Sequence, residues 1–496
     1  MPTTKVRAVA AALALAVAML PAARADDIET DPLEDEEKEP ARFGSALLES
    51  AITLGVIAGY YINGGGWTSD NSDADLHWDW PSWKRKLSLD AVRFDTNEYH
   101  VNVTRHGLMG VVTYQIGRTN GLGIVGSTVL SAIDAVVWEF VIEYRESPSI
   151  NDLILNTVLG YQLAEPLWQI GQLWRGGVLS VGDRLKTTMF SPFDGLHDLV
   201  RRPRHHWWRP RAWRSMTFEL GGSTRWDDRS DARTELVLSG DIDLVGDRRY
   251  VSPGAQEGRI APGTWSRVRG RLRFGDSGSG FERSATEIES RTALAGYYQQ
   301  DARGNGVFAG IGAGFTYHRE NVNAGRDHVT LAHLAGLQLQ LSRRTPALAM
   351  RWDVAAYGDF AMIDAHRYRD GNPFRKPPPY LSKLQTQGYY DGLGVTGTTR
   401  LRVDTRLWSF DAELSAHQVW QIDAGERIAV SLRSAPDLGA HGVSDFRLYW
   451  RAQLGFRPGR LGASVIAEGS DLRGTWEGSR RESTSTAIGI ALQASY

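Results

Sequence analysis

The chain has 496 residues, a formal charge of -2 at neutral pH and no cysteine. Without cysteine there is no disulfide framework, thiol chemistry or thiolate zinc site, and the near-neutral balance gives no support to nucleic acid as a partner. Gly 53, Trp 17 and Tyr 17 at slightly negative mean hydropathy are unlike a bundle of membrane helices and suit alternating strands with aromatic belts, a class in which one barrel can occupy most of a long chain.

In chain order, residues 1–25 read as an export signal: Lys5 and Arg7, an apolar run from Ala8 to Leu20, then Ala23 and Ala25. Loss of Lys5, Arg7 and Arg24 takes the charge from -2 to -5. Residues 26–42 form an acidic leader that buries too little apolar surface to fold. A helical module follows over 43–190. Its first helix is expected from Phe43 to Ile62, ended by Gly64, Gly65 and Gly66. The stretch from Gly66 to Lys86, rich in Asp and Trp, reads as a solvated loop, because its acids lack the regular spacing of a calcium loop. Three further helices are expected near residues 104–117, 122–144 and 150–174, with Ser149 capping the last and Asp152 closing a capping box. The second of these is long enough to cross a membrane, but Asp134, Glu139 and Glu143 are costly in lipid and favour burial against protein. Residues 191–215 make a basic, aromatic linker suited to the headgroups of an anionic leaflet, and adjacent His205 and His206 are poorly placed to share one metal ion.

From Met216 to Tyr496 the hydrophobic period becomes two. Val307, Ala309, Ile311, Ala313, Phe315 and Tyr317 fall on one face of a strand, and Leu331, Ala335, Leu337, Leu339 and Leu341 on one face of the next, with a local break at His333 and Leu334. The last strand sets Ile488, Ile490, Leu492, Ala494 and Tyr496 together. It looks like the C-terminal assembly signal of outer-membrane barrels, which implies the barrel assembly machinery as a partner. At roughly 23 residues per strand and turn, the segment holds about 12 strands, with 10 or 14 open. The fold class expected is therefore α+β: a periplasmic helical module packed under or into the mouth of an antiparallel transmembrane β-barrel. Gly275, Asp276, Ser277 and Gly278 match the tetrapeptide around a serine-protease nucleophile, but lie where a hairpin turn is expected.

The ionisable residues of the helices repeat at four-residue steps. Glu139 and Glu143 share one face, Asp152, Asn156 and Gly160 another, and His106, Gly110, Tyr114 and Arg118 a third, with Gly110 leaving room for a partner helix. Polar stripes on three apolar helices are costly unless they meet. The expected site takes His106, Glu139, Glu143 and Asp152 as acids, bases or ligands of a divalent metal, and Arg118, Tyr114, Asn102 and Asn156 as substrate-binding groups. The competing reading is a structural network in which Arg118 neutralises one glutamate while His106 and Tyr114 satisfy the rest.

Asn102, His106, Gly110, Tyr114 and Arg118, with Trp138, Glu139, Glu143, Pro148, Ser149 and Asp152, resemble an uncharacterised family of bacterial outer-membrane proteins, a domain of unknown function, over roughly residues 94–165. Gly107 stands where the resemblance implies proline. More loosely, the order of Glu139, Glu143, Asp152, Asn156 and Gly160 is similar to that in VanZ-like membrane proteins, without an activity to carry over. The resemblance implies an outer-membrane location. Two functions are expected from the residues: binding or processing of an envelope lipid or glycan, or a structural or channel-forming barrel whose helices are a plug.

Overall fold

The computed structural model describes residues 41–63, 76–95, 97–175, 180–200, 212–228, 230–245, 256–276, 281–322, 325–368, 384, 388–423, 442–476 and 479–495. The expected signal, most of the acidic leader, His205, His206 and Ser277 lie outside these residues.

Helices come first, then strands. Helix α1 spans Phe43–Asn63 and α2 Trp80–Leu87. A π-turn, Val101–His106, runs into α3, Gly107–Thr119. Helix α4, Ile124–Val137, continues as a second π-turn, Trp138–Ile142. Helix α5, Ile150–Leu159, passes through a third, Gly160–Ala164, into α6, Glu165–Gln172. Helices α7, Val181–Phe190, and α8, Pro192–Val200, complete the module. The expected helices are therefore present, and the three after α2 each include a π-turn that a four-residue step does not anticipate. The expected loop up to Lys86 is corrected in its last part. Asp79 accepts a hydrogen bond from Ser82 N at 2.9 Å and Pro81 sits in the first turn, so α2 has a proper N-terminus.

The strands are β1 Ala212–Asp227, β2 Ser230–Val245, β3 Gln256–Ile260, β4 Trp265–Asp276, β5 Phe281–Gln300, β6 Gly306–Val322, β7 Gly325–Arg344, β8 Leu348–Ala365, β9 Tyr389–Thr405, β10 Trp408–Gln421, β11 Ser444–Phe456, β12 Leu461–Trp476 and β13 Ser479–Ser495. Each long strand pairs antiparallel with its neighbours, and β1 pairs with β13 from Thr217↔Ser495 to Asp227↔Ser485, closing the cylinder. β3 pairs with β5 directly beyond the end of β4, so the two are one interrupted stave and the barrel has 12. β4 and β5 pair down to Asp276↔Phe281, so Gly275 and Asp276 of the protease-like tetrapeptide end a strand.

Alternation separates an outer wall from a lumen. Ile488, Ile490 and Leu492 face outward at 52, 67 and 68 % exposure. The expected single apolar face on β7 is corrected: a bulge between His333 and Ala335 switches the parity, so Leu331 packs in the lumen with Ile363 and Tyr390 while Leu337 points out.

The same parity locates the helices. On β9, Leu393 and Val395 are half exposed on the outer face, yet Tyr389 and Asp391, on that face in the same strand, are wholly buried. What covers them is helical. Tyr99 bonds Thr330 at 2.5 Å, Asn102 bonds Tyr389 Oη at 3.2 Å, Tyr161 donates to Leu334 O at 3.0 Å and Gln162 to His333 O at 2.7 Å. Phe315, Ala332, Phe360 and Met362, all outward by parity, share a core with Tyr114, Leu155 and Leu159. The expectation of helices under or inside the barrel mouth is thus overturned: the described helices lean on the outside wall.

The lumen is filled by other means. Tyr368 and Leu384, from the connection after β8, join Val329, Leu331, Val419, Val443 and Trp476 in an apolar cork. Below it, ion pairs bridge distant staves: Arg269 to Glu413 at 2.5 Å, Arg271 to Glu468, Arg225 to Glu320 and Arg351 to Asp243 at 2.6 Å. Only a cavity of ≈ 70 Å³ lies amid the Arg269, Arg271 and Glu413 side chains, against ≈ 400 Å³ beside Arg351 and Arg402 near the end that carries Ser495. Replacing Glu413 and Glu468 together by Gln is expected to raise conductance in planar bilayers above that of the unmodified barrel; unchanged currents would show that these braces do not occlude the lumen.

Candidate functional site

The polar stripes meet, but not as one cluster. They separate toward the two ends of the bundle because the first π-turn and α3 together run the height of the barrel wall, from Asn102 beside Tyr389 to Arg118 near Gly263.

At the Gly263 end, Arg118 Nε lies 2.8 Å from Glu165, Tyr114 Oη donates to the same carboxylate at 2.7 Å, and Gln169 donates to it at 2.9 Å. The guanidinium also donates to Leu122 O at 2.8 Å and stacks on Trp168 at 4.1 Å. The Glu165 carboxylate has its charge paired and both oxygens hydrogen-bonded here, as in a structural network. Arg118 and Tyr114 are therefore not beside the acids they were expected to neutralise. Glu165, which holds both, was missed because its stripe begins one π-turn later than Asp152.

At the other end His106, Glu139 and Asp152 converge. One ligand atom from each lies within 4.8 Å of the others, and His106 Nε2 is 3.7 Å from Asp152 Oδ2. All three side chains are buried. Two π-turns aim them: His106 ends the first and Glu139 lies in the second. Ser149 caps α5 as expected, its Oγ accepting Asp152 N at 3.2 Å, while Ser149 N donates to Glu139 Oε2 at 2.7 Å. Glu139 Oε1 and Asp152 Oδ1 are buried with no hydrogen-bond partner, as are both amide atoms of Asn156. Asn102 instead binds Asp95 at 2.6 Å, and Asn151 binds the same carboxylate at 3.0 Å. Asp95 was missed because it lies in the connection between α2 and the first π-turn, where no periodicity marks it. Lys86, also missed, is fully buried and donates to Glu139 O at 2.6 Å and Glu143 O at 2.8 Å, placing a cation at the C-terminus of the second π-turn.

Glu143 follows that π-turn. Burial, and then the neighbouring Glu146 carboxylate, push its pKa from 4.5 up to about 8, with His106 opposing. A histidine and two carboxylates with unpartnered oxygens suit a borderline divalent cation such as zinc or manganese, with Glu143 as a nearby proton acceptor.

Residues 91–193 match the family described as "Domain of unknown function (DUF3943)". The DUF3943 region contains every candidate site residue and agrees with the resemblance expected over 94–165. No curated protein matches the chain. Among solved structures, the NanC porin is similar at TM-score 0.24 and 11 % identity, over 55 % of this chain and 98 % of its own. OmpT of Vibrio cholerae gives 0.20 and 10 % over 57 and 98 %, and the Pseudomonas putida toluene transporter TodX 0.21 and 10 % over 57 and 89 %. The outer-membrane β-barrel fold rests on the chain's own closed strand pairing.

Two outcomes follow from the DUF3943 geometry. Since the folded protein holds the Glu143 proton more tightly than the unfolded chain, this group stabilises fully below pH 4.5 and its contribution is lost as pH rises through about 8. Thermal unfolding of metal-free protein should show that decline, and Glu143→Gln should flatten it; an identical slope in the variant would refute the assignment. A Cβ at Gly110 would lie 1.9 Å from Asn156 O. Gly110→Ala should therefore push α3 from α5 and cost about 1–3 kcal/mol of stability by overpacking, read in denaturant unfolding.

Proposed function

We propose that the DUF3943 region is a divalent-metal centre acting on an envelope lipid beside the barrel. The observation that carries this reading is the meeting of His106, Glu139 and Asp152 with carboxylate oxygens that no protein donor satisfies. Glu165 in the same bundle is satisfied by Arg118, Tyr114 and Gln169, and Asp194 and Asp198 are paired with Arg175, whereas no Lys or Arg side chain pairs with Glu139 or Asp152 among the described residues. Unsatisfied buried carboxylates are costly, and a cation restores the balance.

Three protein ligands leave a coordination position for substrate or water, and the ion would supply Lewis acidity and charge neutralisation there. Glu143, with a pKa of about 8, is suited to exchange a proton near neutral pH. Asn156, whose amide is unengaged, is available to orient a polar headgroup. A lipid is favoured over a glycan because the bundle leans on the outward wall, which faces acyl chains, rather than on the lumen mouth. The compartment opposite this end of the bundle belongs to the same proposal. The chain's described strands begin and end at the rim away from Tyr389, and termini at the periplasmic rim would put His106 toward the outer leaflet. In this reading the module expected to face the periplasm lies on the barrel wall instead.

The test is elemental analysis of protein purified from membranes and equilibrated with zinc or manganese, with Glu139→Gln and Asp152→Asn alongside, followed by lipid analysis of reconstituted membranes. Bound metal lost in both variants, and lipid turnover lost on His106→Ala, are expected. Absence of bound metal ends the metal centre; metal without turnover ends the enzyme and leaves a binding element.

A further inference from the structure

The outer faces of α1 and α4 have no protein partner among the described residues. Leu48, Ile52 and Val56 of α1 are 58–69 % exposed, and Val125 of α4 is 70 % exposed, matching Ile490 of the barrel belt at 67 %. Val129, Ile133, Val136 and Val141 continue the α4 face. A helix that merely closes the core of a soluble module is mostly buried, but only 17 % of the apolar window in α1 and 39 % of that in α4 are buried.

Charge follows the same division. The only acidic or basic residue of α1, Glu49, turns inward to Asn120 at 2.7 Å and His197 at 2.9 Å. In the α4 segment, Asp134 is held by Ser50 of α1, and Glu139 belongs to the buried cluster. Neither outer face carries a charge.

The lengths and directions agree as well. α1 has 21 residues and the α4 segment 19, each about 30 Å long, the thickness of a bilayer's hydrocarbon core. α1 starts where Arg42 N bonds Asn120 O at 3.0 Å, beside the Arg118 end, and finishes where Tyr61 meets Trp138, beside the Glu139 end. α3 and the α5–α6 run cover the same height along the wall, with α5–α6 passing from the Asp152 end to Gln169 beside Gly263.

We infer that the helical bundle spans the same bilayer as the barrel, with α1 and α4 in contact with acyl chains and the barrel wall shielding the opposite side. The apolar faces thereby become a continuation of the barrel's lipid-facing belt. Helices and closed barrels are the two structures that leave no backbone group unpaired in hydrocarbon, so the combination is physically consistent. The inward acids also have a use during export. Before the bundle assembles they make each helix a poor stop signal, and after assembly they are buried. This inference concerns where the bundle lies and stands whether or not the His106 cluster binds metal.

The chain's lack of cysteine allows a direct test. Val56→Cys, Val129→Cys, Ile490→Cys and Arg303→Cys are made singly, reconstituted in lipid nanodiscs that leave both faces open, and treated with a charged maleimide. Val56→Cys and Val129→Cys should react as slowly as the barrel-belt control Ile490→Cys, while Arg303→Cys in the β5–β6 turn reacts fast. Reaction at the Arg303→Cys rate would overturn the inference. If a variant fails to fold, photo-crosslinking of the unmodified protein with diazirine phospholipid decides: adducts on α1 and α4 support it, and adducts on the strands alone overturn it.

Discussion

Closure of the sheet is the constraint on which everything else rests. In hydrocarbon an unpaired N–H or C=O costs several kcal/mol, and pairing of β1 with β13 removes the last open edges. Once the cylinder is sealed, every strand residue is assigned to lumen or wall by parity. The bulge at His333 acts through this rule: it exchanges the two faces of β7 and puts Leu331 inside. The wall position of the helices is likewise read from parity, since Tyr389 and Asp391 are buried on a face that elsewhere points outward.

That position divides the protein's polar chemistry into two compartments. Within the lumen, arginines and carboxylates from non-neighbouring staves meet in pairs, as Arg351 does with Asp243 and Arg400 with Asp241. Such pairs contribute little net stability, because desolvation offsets attraction, but they fill the cross-section and fix side chains across it. Outside the wall, the helical bundle buries acids in a setting with few cations. At the Arg118–Glu165 end both oxygens of the buried carboxylate have donors and a paired cation, whereas at the His106 end Glu139 Oε1 and Asp152 Oδ1 have no hydrogen-bond partner. The contrast within one bundle distinguishes a structural network from a candidate site.

Local backbone geometry produces that contrast. The π-turn over Trp138–Ile142 brings Glu139 to Ser149 and His106, and Glu143 follows it at the helix end. Lys86 then closes the exposed carbonyls of that turn from α2. The three π-turns shift the phase of the helices they interrupt, and two of them place His106 and Glu139 side by side.

By itself the sequence determined the order of helices and barrel, a strand number near 12, and His106, Glu139 and Asp152 as polar residues that should meet, because hydrophobic period and residue type are local properties. It also placed Gly110 at a close helix contact, since absence of a side chain is visible in one letter. Only the tertiary structure decided that Arg118 and Tyr114 belong with Glu165, that Asp95 and Lys86 join the acidic end, and that the helices lean on the wall. Each of these depends on the cumulative rotation introduced by π-turns, or on which face of a closed sheet receives a neighbour. Neither quantity is encoded in spacing along the chain: a one-residue shift in phase sends the same side chain to the opposite face.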